Sequence, residues 1–255
     1  MTFDDADLDA IANRIDEGIS GDIRTDPVTR MLYRTDASMY EVEPLGLILP
    51  SSVEDVAHAV RVAAEYGIPL LPRGGGTSLA GQSVGRALHV DYSKYMNAIL
   101  ELDVEERWVR VQPGVVLDEL NEVLKQHDLQ FAPDVSTSSR ANVGGMIGNN
   151  SSGAHSILYG KTIDHVIDLK VVLADGTLAE FAPLDKAQWE EKKGLAGLEG
   201  DIYRGIGSII DEHREEISRR FPRVMRRVSG YNLDEFVDRE AKGHRDVCKL
   251  VIGSE

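Results

Sequence analysis

The run Pro72-Arg73-Gly74-Gly75-Gly76-Thr77-Ser78-Leu79-Ala80-Gly81-Gln82-Ser83 joins three consecutive glycines to a cation and a pair of hydroxyls. Glycine leaves backbone N–H groups uncovered and accepts positive φ, which is what a concave, anion-holding loop requires. Thr77 and Ser78 add hydroxyl donors, and Arg73 adds positive charge. A diphosphate needs this combination, so the loop points to a nucleotide cofactor; the plain alternative is a tight surface turn. Two common nucleotide loops are excluded. A P-loop needs Lys-Ser/Thr after its last glycine, and G-x-G-x-x-G started at Gly74 meets Leu79 where its last glycine belongs.

A second small-residue cluster, Asn142-Val143-Gly144-Gly145-Met146-Ile147-Gly148-Asn149-Asn150-Ser151-Ser152-Gly153, follows Pro133-Asp134 and the serines near Ser138. Small residues let backbone lie against a flat, extended ligand, while Asn and Ser side chains offer hydrogen bonds to a ring edge or to hydroxyls. The remaining polar candidates say less. His155, His165, His213 and His244 show no metal-ligand spacing such as H-E-x-x-H; His155 alone follows a glycine cluster. Arg219, Arg220, Arg223, Arg226 and Arg227 read as a solvated helix end, or as an anion site.

These loops need a frame, and the surrounding pattern supplies one. Residues 5–19 carry Leu8, Ile11, Ala12 and Ile15 at helical spacing. Residues 20–44 read as irregular, with Tyr33 and Tyr40 as anchors. Residues 47–49 form a strand stopped by Pro50. Ser51 with Glu54 offers a capping box to a helix whose apolar face is Val53, Val56, Ala57, Val60 and Ala64 and whose C-cap is Gly67. The next strand, 68–71, runs into the first glycine loop, so a β-α-β unit delivers it. Further strands are expected at 89–91, 98–102, 107–112 and 167–173, with a hairpin turn at Asp175-Gly176 and a helix over 116–127. Residues 183–200 read as loop, the stretch from Ile202 to Ile217 as a long amphipathic helix, and 249–252 as an apolar strand.

The bulk numbers set bounds. A chain of 255 residues holds one large domain or two lobes with a real core. A net charge of −15 argues against a general nucleic-acid binder. The one cysteine, Cys248, excludes an intrachain disulfide and a thiolate metal cluster. No apolar run approaches the ~20 residues of a membrane span, and the acidic N-terminal stretch lacks a signal pattern, so a cytoplasmic location is expected.

With these motifs in order, and with Ser229-Gly230-Tyr231-Asn232-Leu233 and Ile252-Gly253-Ser254-Glu255 after them, the chain resembles the FAD-binding domain of the vanillyl-alcohol-oxidase (PCMH) type. The branch it resembles holds glycolate oxidase, D-lactate dehydrogenase and D-2-hydroxyglutarate dehydrogenase. The resemblance implies an α+β fold with a lead-in over 1–40 and a domain over 41–255. A small β-α-β lobe (about 41–105) and a larger lobe of mixed and antiparallel sheet with helices (about 106–255) would hold FAD between them. It places the pyrophosphate on Arg73, Gly74, Gly75, Gly76, Thr77 and Ser78, with Gly81 and Gln82 beside them. Pro133, Asp134, Ser138, Gly144, Gly145, Asn149, Ser152, Gly153 and Ile252 would line the rest of the cofactor cleft.

Some relatives attach flavin through a histidine in the first loop. Thr77 matches that position, so FAD is expected to be non-covalent. The activity implied for the complete enzyme is hydride transfer from C2 of a 2-hydroxy acid to the flavin, with an electron acceptor as second partner and the catalytic base elsewhere. Relatives continue past Gly-Ser-Glu into a substrate-binding segment. The end at Glu255 therefore reads as a cut, this stretch alone is expected to be inactive, and a second copy of the chain is the expected cover for bared apolar surface. Two other readings stay open: an inert FAD-holding subunit that needs a partner chain, and a nicotinamide-dependent flavin reductase of the same fold.

Overall fold

The computed structural model describes residues 5–224 and 230–254; Arg226, Arg227, Ser229 and Glu255 lie outside them. The chain packs as two compact units, Met1–Phe131 with Val135–Met146 and Ala174–Gly176, and Ala132–Asp134 with Ile147–Leu173 and Thr177–Glu255.

The first unit begins with α1 (Asp5–Asp16), β1 (Asp22–Arg24) and α2 (Pro27–Tyr33). The expectation of irregular chain over 20–44 is therefore corrected. Asp26 caps α2 by accepting from Thr29 N–H, with Pro27 in the first turn. Next come β2 (Gly46–Leu49), α3 (Val53–Tyr66), β3 (Leu70–Arg73) and β4 (Leu88–Asp91). The cap of α3 is Ser52 rather than Ser51, its hydroxyl accepting from Asp55 N–H, and Gly67 ends the helix in the left-handed region at φ 64°. The β-α-β unit is present with one difference. The sheet order is β1-β2-β4-β3, with β4 parallel to both neighbours, so β2 and β3 do not touch.

β2 and β4 are buried along their whole length, as expected of parallel strands covered on both faces. Ile48, Leu88 and Val90 pack with Ile11 and Ile15 of α1 and with Ala59, Val62 and Ala63 of α3. Alternation then turns His89 and Asp91 to the opposite face of β4.

The antiparallel pair β5 (Ile99–Asp103) and β6 (Trp108–Val111), helix α4 (Leu117–Leu124) and the start of α5 (Val143–Gly148) also pack in the first unit. That unit thus runs past the boundary expected near residue 105. The reason is local: Gly114 N–H donates to Met96 O at 2.8 Å, and Leu117, Ala141 and Met146 share a small core.

The second unit holds α6 (Ser156–Tyr159), α7 (Thr162–His165), the hairpin of β7 (Leu169–Val172) and β8 (Leu178–Phe181), β9 (Pro183–Leu184), α8 (Lys186–Lys193), α9 (Gly197–Arg220), α10 (Leu233–Glu240), β10 (Arg245–Asp246) and α11 (Val247–Val251). Trp189 of α8 packs edge-on to Tyr203 of α9 and beside Phe236 of α10, at ring separations of 5.1 and 5.3 Å. Two sequence expectations fail here. Residues 186–193 are helix, not loop. Residues 247–251 are helix, not strand, because the Asp246 carboxylate accepts from Lys249 N–H and starts a turn. No helix among the described residues is long and apolar enough to cross a membrane.

Candidate functional site

The expected cofactor residues divide between the two units. In the first, β3 ends at Arg73 and releases the glycine loop. Of the glycine triple only Gly76 has a positive φ, 63°, and Gly81 follows at 83°. Gly74 and Gly75 are required for a different reason. A Cβ on Gly75 would lie 2.2 Å from Arg140 O, and one on Gly74 would lie 2.7 Å from Asn142 Oδ1. The loop is therefore pressed against residues 140–142, the start of the second glycine cluster. Ser78 donates its hydroxyl to Gln82 Oε1.

Among the described residues, the N–H groups of residues 74–78 meet no protein acceptor. Donors left without a protein partner are what an anion-binding loop offers. Asn142 is buried, and its Nδ2 donates to Gly114 O at 2.5 Å. Among the described residues its Oδ1 has no partner, although buried polar atoms usually find one; it lies against Gly74 and Gly75. Gly144 is fixed by packing, since its Cβ would lie 2.7 Å from Pro113 Cβ; Gly145 has nothing within 4 Å. Ser138 is half-buried, and its carbonyl accepts from Asp118 N–H.

Arg73 stands differently from the expectation. Its guanidinium donates to Tyr33 O (3.1 Å), Ser83 O (2.7 Å) and Thr35 O (2.7 Å) and lies over the Tyr33 ring at 5.1 Å. Tyr33 in turn donates its hydroxyl to Asp91 Oδ2 at 2.7 Å. Burial and that carboxylate raise the phenol's pKa well above its usual range, so Tyr33 stays a donor.

In the second unit, Pro133 is buried and Asp134 sits against Gly153, where a Cβ would fall 2.0 Å from Asp134 Oδ1. His155 places Nδ1 2.5 Å from Asp134 Oδ2 and donates its backbone N–H to Oδ1 of the same carboxylate. The hydrogen bond from His155 holds the Asp134 carboxyl below its usual pKa. Asn149 is exposed and donates to Ser151 Oγ at 3.2 Å; Ser152 is half-buried. Ile252 is fully buried in the core, and its carbonyl accepts from Asn232 Nδ2. No group of three or more His, Cys, Asp or Glu among the described residues could hold a metal ion.

Sequence reasoning named Tyr33 as an anchor but missed Asp36, Asp91 and the buried acceptor on Asn142. The clue to Asp91 was its alternation with Val90 in β4. The unpartnered N–H groups of residues 74–78 and the close packing at Gly74 and Gly75 fit a loop that holds phosphates.

Residues 44–182 match the family model described as FAD binding domain. The chain is 41% identical over 251 residues to D-2-hydroxyglutarate dehydrogenase of Pseudomonas putida, covering 97% of this chain and 24% of that protein. It is 35% identical over 231 residues to glycolate oxidase subunit GlcD of Bacillus subtilis, covering 88% and 47% respectively. The chain thus spans about a quarter of the length of the D-2-hydroxyglutarate dehydrogenase relatives. Among solved structures, p-cresol methylhydroxylase with substrate bound superposes at TM-score 0.60 with 19% identity, over 70% of this chain and 36% of that one, a likeness of fold alone. Xylooligosaccharide oxidase of Myceliophthora thermophila superposes at 0.57 with 26% identity, over 68% and 36%.

Proposed function

Because the chain belongs to the FAD-binding-domain family, matched over residues 44–182, we propose that it is the FAD-holding part of a dehydrogenase that oxidises a 2-hydroxy acid. D-2-hydroxyglutarate is the favoured substrate. The observation that carries this choice is the 38–41% identity to four D-2-hydroxyglutarate dehydrogenases over 92–97% of the chain. Identity to a mitochondrial D-lactate dehydrogenase of Kluyveromyces lactis reaches 36% but covers only 65%.

Bound FAD would supply the hydride-accepting chemistry. The chain's own share is binding and orientation. The N–H groups of residues 74–78 take the diphosphate oxygens, with Thr77, Ser78, Gly81 and Gln82 shaping that loop. Gly145 keeps backbone open for close approach. Pro133, Asp134, Asn149, Ser152 and Gly153 are the proposed cofactor contacts from the second unit, whereas Ile252, sealed in its core with its carbonyl bonded to Asn232, is not one. Thr77 has no nitrogen to alkylate, so FAD is held without a covalent bond. An electron acceptor, a homodimeric state and a cytoplasmic location belong to the same reading. Burial, together with the Asp246 charge, pushes the Cys248 thiol up to about 12, so it stays a protonated thiol.

The test has two stages. Purified protein should quench added FAD fluorescence and turn yellow; no binding would overturn the cofactor reading. Full-length protein loaded with FAD should lose its visible flavin absorbance under anaerobic D-2-hydroxyglutarate, and more slowly with D-lactate or glycolate. FAD bound but reduced by none of the three would favour a subunit that holds cofactor for a partner chain.

A further inference from the structure

The matched family region begins at residue 44, yet the first glycine loop is tied to chain that precedes it. Arg73, facing Asp91 across the β3–β4 register, sends its guanidinium to the carbonyls of Tyr33 and Thr35 and to that of Ser83 on the far side of the loop. Ala37 N–H donates to Gly76 O at 3.0 Å, inside the glycine triple. Ser83 donates its hydroxyl to Asp36 Oδ2 at 2.9 Å. Tyr40 closes on Gly81, where a Cβ would lie 2.6 Å from the Tyr40 ring. The segment is itself closed by the Thr35–Glu41 bridge, by Val42 N–H donating to Arg34 O at 2.8 Å and by an Arg34–Glu41 ion pair. Residues 33–42 thus form a strap that touches the loop at its root, its apex and its exit.

The chemistry of Arg73 fits a brace better than a phosphate ligand. A guanidinium presents a rigid fork of donors, and here that fork is aimed at backbone carbonyls on both sides of the loop. Asp36 and Asp91 stand close enough to balance its charge. The donors left for an anion are the loop's own N–H groups, whose direction depends on where the strap holds Gly76 and Gly81.

We propose that residues 33–42 are part of the cofactor-binding machinery. In this arrangement Arg73 is a positioning residue that locks the strap onto the loop so that the N–H groups of residues 74–78 converge on the diphosphate. This rests on the FAD-holding function proposed above, and it assigns a role in that site to a segment outside the family match.

The experiment compares wild type with Arg73→Lys, Arg73→Met and Ser83→Ala. FAD affinity is read by fluorescence titration, and exchange of the amides at 74–82 and in β2 and β4 by hydrogen–deuterium exchange. A brace needs the fork, so lysine should fail as methionine does, each losing about tenfold or more in affinity. Ser83→Ala, which removes the hydroxyl bond to Asp36, should lose about threefold. In all three the loop amides should exchange faster while β2 and β4 stay protected. If Arg73→Lys binds FAD as wild type does while Arg73→Met fails, the charge itself meets the cofactor and the proposal is wrong. Arg73→Met binding as wild type does, or Ser83→Ala leaving both affinity and loop exchange unchanged, would also overturn it. Wild type that takes up no FAD would instead defeat the underlying function.

Discussion

Asp55 shows how much of this fold rests on single side chains that no motif marks. It is only 3% exposed and accepts from Ser20 N–H, Gly21 N–H, Ser51 N–H and both the Ser51 and Ser52 hydroxyls at 2.8–3.1 Å. Burial by itself would raise its pKa, but these bonds outweigh it and hold the carboxyl at about 2. The unfolded value is near 3.9, so the ionised form stabilises the fold fully above pH ~4, and that contribution drains away as pH falls toward ~2. Asp55→Asn should therefore lose about 2 kcal/mol at neutral pH. Its denaturation midpoint should also change less than wild type's between pH 5 and pH 2, as urea melts would show.

The glycines divide in a similar way. Gly75→Ala drives a methyl against Arg140 O and should cost about 1–3 kcal/mol with loss of FAD binding. Gly145→Ala meets open space inside a helix, so it should stabilise the fold by up to about 1 kcal/mol of helix propensity, seen as a slightly higher melting temperature, yet weaken FAD binding. A Gly145→Ala protein that binds FAD at wild-type strength would show that nothing approaches that backbone.

At the scale of elements, legibility followed the hydrophobic signal. The helix over 53–66 and the hairpin after residue 169 were readable because apolar residues recur at 3.6 or 2 positions. α8 was not, because it buries a single residue, Trp189, among charges. Its start was nevertheless written in the sequence: Asp185 accepts from Gln188 N–H, and Gln188 returns the bond to Asp185 N–H. Asp185→Ala should destabilise the second unit by about 1 kcal/mol, measurable as a lower thermal midpoint. α11 was misread because a short apolar run has no period of its own; the capping carboxylate decided it. Within the candidate site, the two glycine clusters stand out by composition alone. The strap was not, because its bonds run from backbone carbonyls to a side chain forty residues away in sequence, and carbonyls leave no trace in residue types.

For the molecule as a whole, the proposed non-covalent binding predicts that acid precipitation sends all flavin colour into the supernatant; colour kept in the pellet would mean a covalent link. Strand order was beyond sequence reasoning, since every strand of a parallel sheet looks alike along the chain. That order governs how the protein is made. The strand between β2 and β3 is the last of the three to leave the ribosome. Until residues 88–91 emerge, β2 has only β1 beside it, and β3 has no strand to bond. Synthesis thus passes through a stage with bare strand edges, the state most open to aggregation and to chaperone capture. Nascent chains stalled with residue 85 just outside the exit tunnel should be cut readily by protease, and those stalled past residue 146, with β4 paired and residues 140–142 against the loop, should resist. The glycine-rich loop that delays the sheet's completing strand, proposed above to hold the cofactor, is then also the interval during which the nascent fold is vulnerable.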